Sequence, residues 1–383
     1  MKILTDRVKV LMSVLVTASI LVSCSKVERV DNGEKAITMR PKSSVMSKVV
    51  TGPVLGGYPT GESMGVFAYY SSTAAGVSWL QHEADYFKVI KEFTCESGNP
   101  SWTGDADCVW PNTGSLIFAG YSPFKRPVAD LNGDVTIQNI ANVTYNVSTK
   151  TLKIDDYVVC NYVPMSKEEI ENVNIQYNNK AQSDLMFFLP KVDKDGKYIG
   201  TNGLLTGESY NANFQHALAL VEFTVKAEDL DALNRVDLSK ITLQQVYHKG
   251  DFSATLSANG EIETNWVLDK TYAGVNEDIY HSAENADGNK FDLSLTMSPR
   301  LVAQVLVIPG PTHPIDVVYH VFVNGKSYLQ KSTFNLSQDY GIEKWEAGKR
   351  YVYNIVLGVD KMTFSPQTLK WDDVIEDGGE SIS

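Results

Sequence analysis

From Tyr351 onward the chain alternates with a period of two. Tyr351, Tyr353, Ile355, Leu357 and Val359 fall on one side, and Val352, Asn354, Val356 and Gly358 on the other. A helix brings together residues three and four apart; only an extended strand sets every second side chain on one face. A face of two tyrosines, Ile, Leu and Val needs a core beneath it, so this stretch demands a sheet with a covered side. Gly348, just after Trp345, suits the turn that feeds the strand. After Gly358 the alternation resumes in a second short strand bearing Met362 and Phe364. Pro366 has no N–H to give a ladder, so that strand belongs at a sheet edge or ends soon after.

The rest of the chain repeats this logic. Short apolar runs over 64–70, 115–121, 135–140, 144–147, 151–154 and 184–189 read as strands, punctuated by turn residues such as Asn132-Gly133 and Asp195-Gly196. The run over 115–121 is buried and ends in a turn at Pro123. A glycine cluster at Gly200, Gly203 and Gly207 separates a second series. It begins at Phe214-Gln-His216-Ala217-Leu218 and puts Ala217, Ala219, Val221, Phe223 and Val225 on one face. Residues 241–247 and 252–256 read as a strand pair, and 301–308, apolar on both faces, as a central strand. Asn324-Gly325 tolerates the positive φ angles of a type I′ turn and marks the clearest hairpin. The fold class is all-β. About seven strands in each half with almost no helix point to two β-sandwich domains in tandem, 49–205 and 206–383.

The start of the chain carries an address. Lys2, Arg7 and Lys9 precede an apolar run over 8–22, which is short for a membrane span and fits a signal-peptide core over 1–23. It ends in Leu21-Val22-Ser23-Cys24, small residues before a cysteine, as a bacterial lipoprotein signal peptidase requires. Cys24 is then the lipidated N-terminus. Two or three acyl chains, each adding roughly 0.8 kcal/mol per buried CH₂, anchor a protein stably in a membrane. Ser25 at the next position points to the outer membrane or cell surface. Residues 24–48 are polar, a lead with room for one short strand around Ile37. The formal net charge of -12 argues against nucleic acid and against basic docking on anionic lipid. Cys95 and Cys108 flank a loop and can either pair in an oxidising compartment or stand as thiols.

Chemistry is sparse. GxSxG, HExxH and CxxC are all missing, and no cofactor-binding motif is present: the glycines from Gly52 to Gly65 match neither GxGxxG nor GxxxxGK. Asp193-Lys-Asp195-Gly196 and the stretch from Asp130 to Asp134 resemble the start of a calcium loop but lack its closing Glu, so hairpin turns are expected and no metal is assigned. His313 and His320 are not at a zinc spacing. His216 is expected to sit partly buried on a loop carbonyl. An enzyme is the least favoured reading. A surface glycan-binding lipoprotein is the alternative, with Trp79, Trp102 and Trp110 as stacking platforms if they are exposed.

The lipobox at Cys24, the segment Phe214-Gln-His216-Ala217-Leu218, and Trp345-x-x-Gly348-x-x-Tyr351-x-Tyr353-x-Ile355 followed by Phe364 and Trp371 resemble the fimbrillin family of Bacteroidetes surface lipoproteins. Gly65-Val66-Phe67-Ala68-Tyr69 and the stretch from Leu116 to Pro123 fit its N-terminal half. The resemblance implies two transthyretin-like sandwich domains and a fimbrial subunit, or pilin, that partners other fimbrial subunits head-to-tail and the outer membrane through the lipid on Cys24. It implies export as a lipoprotein, removal of the lead with a first strand by a trypsin-like protease, and filling of the vacated groove by a strand of the next subunit. Met362, Phe364, Leu369 and Trp371 are the candidate knobs of that donor, over 362–375. Arg29, Lys42 and Lys48 are the processing candidates. Arg40 is also basic, but Pro41 follows it, a bond that such proteases usually refuse.

Overall fold

Strands dominate, as the sequence pattern leads one to expect. Nearly every element among the described residues is a strand, and the helices are short: Gly203–Thr206, Leu230–Arg235 and Leu336–Tyr340. The structure is a computed structural model that describes residues 35–42, 63–94, 101–129, 135–140, 142–159, 170–171, 182–270, 275–281, 283–284, 290–291 and 293–371. Met1–Glu34 is a separate unit outside the described residues, and Lys35–Ser383 is the other.

Four sheets enclose two hydrophobic cores. The first sheet runs, in spatial order, Tyr210–Asn213, Thr38–Lys42, Trp102–Thr103, Lys91–Thr94, Ser63–Ser71, Ser115–Ser122, Met186–Phe188 and Gln215–His216. Ser115–Ser122 is buried at every position. Its close neighbours need glycine: a Cβ on Gly65 would lie 2.4 Å from the Tyr121 ring, and one on Gly120 would lie 2.4 Å from Phe188. The second sheet, Val143–Asn146, Thr151–Val158, Lys249–Leu256 and Ile262–Leu268, shares the first core through Leu152, Ile154, Tyr157, Phe252 and Ala254.

The third sheet is Arg300–Val307, Ala219–Ala227, Lys349–Leu357 and Met362–Lys370. The alternating face of Lys349–Leu357 does what its sequence demands: Tyr351, Tyr353, Ile355 and Leu357 all enter the second core. The fourth sheet is Val275–His281, Val236–Val246, Ile315–Val323 and Lys326–Phe334, with Leu293–Ser294 also on Val236–Val246. Its Asn324-Gly325 turn has φ of 52° and 74°, as the hairpin reading requires.

Two expectations are corrected. The strands at 241–247 and 252–256 do not pair with each other. Val236–Val246 joins Ile315–Val323, whereas Lys249–Leu256 joins Thr151–Val158. A two-stranded cover of Val143–Asn146 and Thr151–Val158 could not seal the first core, and the hairpin from the second half doubles its width. The sheets therefore do not divide their strands at the 205/206 boundary. The strand at 301–308 is not central either; Arg300–Val307 lies at a sheet edge. It is apolar on both faces because Val305 and Val307 enter the second core while Leu306 and Ile308 enter the first.

Candidate assembly site

The first strand, Thr38–Lys42, is interior to its sheet. On one side it runs parallel to Tyr210–Asn213, from Met39 opposite Tyr210 to Lys42 opposite Asn213. On the other it is antiparallel to Trp102–Thr103. Ile37 and Met39 are completely buried. The N–H of Ile37 donates to Cys108 O at 2.8 Å, and Lys35 Nζ donates to Gly203 O at 2.9 Å. Burying two such side chains stabilises the seat by roughly 1.5–3 kcal/mol each. Arg40 is exposed, but its backbone lies in the ladder opposite Asn211, so the Arg40–Pro41 bond is held in a strand as well as being a poor protease site. Lys42 ends the strand. Cys24, Arg29 and Lys48 lie outside the described residues.

The terminal strand, Met362–Lys370, pairs along all nine residues with Lys349–Leu357 and forms the edge of its sheet. Pro366 sits there as a strand proline should, opposite Tyr353. Phe364 is buried, with ring centroids 4.3 Å from Phe334 and 5.3 Å from Tyr353. Met362 packs half-buried on the same core, and Leu369 is half-buried opposite Arg350. Trp371 leaves this core for the other one. Its ring stacks on His216 at 4.0 Å and 9°, and its backbone N–H donates to Gly348 O at 3.2 Å. Three of the four candidate knobs, Met362, Phe364 and Trp371, thus pack on cores of their own subunit, and Leu369 lies half-buried outside both.

His216 differs from expectation. Its Nδ1 meets a carboxylate, Asp184 Oδ2, at 2.8 Å, and both side chains are buried. The partner stands 32 residues upstream, so no local spacing could reveal it. It was brought close by the pairing of Met186–Phe188 with Gln215–His216.

The two strands also share a pattern. Ile37-Thr38-Met39-Arg40-Pro41-Lys42 and Met362-Thr363-Phe364-Ser365-Pro366-Gln367 each read apolar, Thr, apolar, polar, Pro, long polar. In both, the third residue is buried, the fourth exposed and the proline half-buried. The match is visible in the sequence itself, although the first strand lies in an otherwise polar lead.

The platform residues Trp79, Trp102 and Trp110 are 6%, 3% and 3% exposed, which removes them as glycan-stacking surfaces. Cys108 is a free, buried thiol pushed up to about 12, first by burial and then by the charge of Asp107; Cys95 lies outside the described residues. Asp193 is a turn former, its Oδ1 accepting the N–H groups of Asp195 and Lys197 at 2.9 Å each. The stretch 130–134 lies outside the described residues. No helix among the described residues is long and apolar enough to cross a membrane.

No curated protein matches the chain. Solved structures do. A Bacteroides uniformis protein is 14% identical, with 88% of this chain and 99% of that chain covered and a TM-score of 0.47. A fimbrial protein from Bacteroides vulgatus is 12% identical over 88% and 99% of the two chains, TM-score 0.47. The tip fimbrial protein Mfa3 from Porphyromonas gingivalis, C-terminally truncated, is 10% identical over 82% and 95%, TM-score 0.36. A fimbrillin-like family model matches residues 56–371, nearly all of the described body, and the chain belongs to the fimbrillin-like family, a family of fimbrial subunits.

Proposed function

We propose that this chain is a structural subunit of a cell-surface fimbria that supports adhesion. It is exported as a lipoprotein precursor on Cys24, held at the outer membrane, and assembled by strand exchange after proteolysis. The reading is carried by the interior seat of Thr38–Lys42. Only a cut beyond that strand severs it from the body. Lys42 and Lys48 meet this requirement, whereas a cut at Arg29 leaves the strand attached. Its loss would open the Ile37 and Met39 pockets between two strands with unpaired backbone groups, a costly and sticky surface. The terminal strand of the next copy repeats the apolar-Thr-apolar-x-Pro pattern of the strand it would replace. To donate, it must leave a one-sided pairing on Lys349–Leu357 and draw Trp371 off His216. Because donor and groove lie on different parts of one molecule, the contact is heterologous and propagates.

The test is limited trypsin treatment of the mature protein, with mass and assembly state followed together. Loss of a piece ending at Lys42 or Lys48, followed by a ladder of oligomers, is expected. K42A/K48A should stay monomeric, and R29A should assemble as the parent does. Release of the piece from a protein that then stays monomeric would sink the exchange mechanism.

A further inference from the structure

The fourth sheet turns one face to the second core; the other carries a cleft of about 280 Å³. All four strands line it: Asn276 and Asp278, Lys240 and Thr242, Asp316, and Lys331. The ladder is irregular along the strand that supplies Lys240 and Thr242 to the cleft. Val236–Val246 changes register between Leu238 and Lys240 against one neighbour, and between Ile241 and Thr242 against the other. Such irregularities re-aim side chains, and here one immediately precedes each of the cleft residues Lys240 and Thr242.

The charges balance. Lys240 Nζ lies 2.7 Å from Asp278 Oδ2, and Lys331 Nζ lies 2.9 Å from Asp316 Oδ2. Thr242 Oγ1 donates to Asp278 at 2.7 Å; Thr333 Oγ1 and Gln244 Nε2 donate to Asp316 at 2.6 and 2.8 Å. Two ammonium groups and two carboxylates therefore share the cleft without a net local charge, each carboxylate held by a lysine and a neighbouring hydroxyl yet retaining lone pairs for a further donor. A cation or an anion would gain little here and would meet a like charge. A hydroxyl-rich neutral ligand can accept from the lysines and donate to the carboxylates at once.

The same face continues beyond the cleft. The register Asp316–Thr333, Val318–Lys331, His320–Leu329, Phe322–Ser327 sets His320, Leu329 and Phe322 in line with it. Leu329 is 62% exposed and Phe322 36%. A polar cleft followed by an apolar strip suits a molecule with hydroxyl edges and C–H faces. We propose that the outer face of this sheet binds a neutral saccharide, its hydroxyls in the Lys240–Asp278 and Lys331–Asp316 cleft and a ring face over Leu329 and Phe322.

The test is saturation-transfer NMR on the full mature protein with maltoheptaose, cellohexaose, mannohexaose and galactohexaose as neutral probes and a heparin octasaccharide as the charged one. At least one neutral probe should bind saturably. Asp278→Asn and Lys331→Gln, which keep side-chain shape, should each weaken it about tenfold, the loss expected for one charge-assisted hydrogen bond. Leu329→Ser should weaken it too, and Val267→Ser, an exposed position on another sheet, should not. The proposal is overturned if no neutral probe binds, if heparin binds more tightly than all of them, or if the cleft variants, shown folded by their melting curves, bind like the parent.

Discussion

Glu222 is 1% exposed, and its carboxylate is fully engaged. Oε2 accepts from Arg350 Nε at 2.8 Å and lies 2.7 Å from Nη2, while Oε1 accepts from Gln304 at 2.6 Å. Breaking a buried pair leaves one charge uncompensated, so Glu222→Ala should cost about 3–5 kcal/mol in urea unfolding. The double variant E222L/R350M should recover most of that loss; if both unfold alike, the pair is not the cause. His248 offers a pH test. Burial alone would lower its imidazole pKa, but the hydrogen bond and charge of Glu277 and the Val159 carbonyl outweigh burial and raise it above 6.5. A raised folded pKa means stability present below the unfolded pKa and lost as pH rises through the folded one. Melting temperature should therefore fall as pH climbs above about 6.5, and His248→Gln should flatten that fall. A parent and variant with parallel profiles would remove the assignment. These partners were not legible in the sequence. The histidines could be seen, but Asp184 and Glu277 reach them only through sheet register, which spacing along the chain does not encode.

At the scale of elements, the alternation was legible and the seating was not. Period two identifies a strand and its apolar face, and Asn324-Gly325 identifies a hairpin. Neither says which sheet receives the strand. Lys249–Leu256 carries Phe252, Ala254 and Leu256 on one face, which fits either core, and the first core takes them because its second sheet would otherwise be two strands wide. The terminal strand shows the same division. Pro366 marked it as an edge strand, yet nothing local showed that Phe364 and Trp371 enter different cores. Removing Phe364 should cost about 3–5 kcal/mol, since Phe334, Tyr340 and Tyr353 cannot close over the gap. Trp371→Ala should free the strand end from His216 and speed oligomer growth after trypsin, read as a shorter lag. A lag unchanged by that variant would mean the His216 stack does not restrain the strand.

The two cores are interlocked across the whole molecule. The first core draws on Leu218, Leu220, Leu306, Ile308 and Trp371, and these sit on or beside strands whose other faces serve the second. It also takes the hairpin that begins at Lys249, which is covalently continuous with Val236–Val246 of the fourth sheet. A break near residue 205 would strip the first core of Phe252, Ala254 and Leu256, and would leave Leu306 and Leu220 of the second half without cover. Two adjacent sandwiches joined by a linker would melt separately. These share strands, so loss of one core exposes the back of the other's sheet. Calorimetry of the mature protein should show a single transition with calorimetric and van't Hoff enthalpies in agreement. Fragments 25–205 and 206–383 should each lack a cooperative transition alone. Two resolved transitions, or a 206–383 fragment that melts cooperatively by itself, would mean that each half owns its core and that the crossing hairpin is only decoration on it.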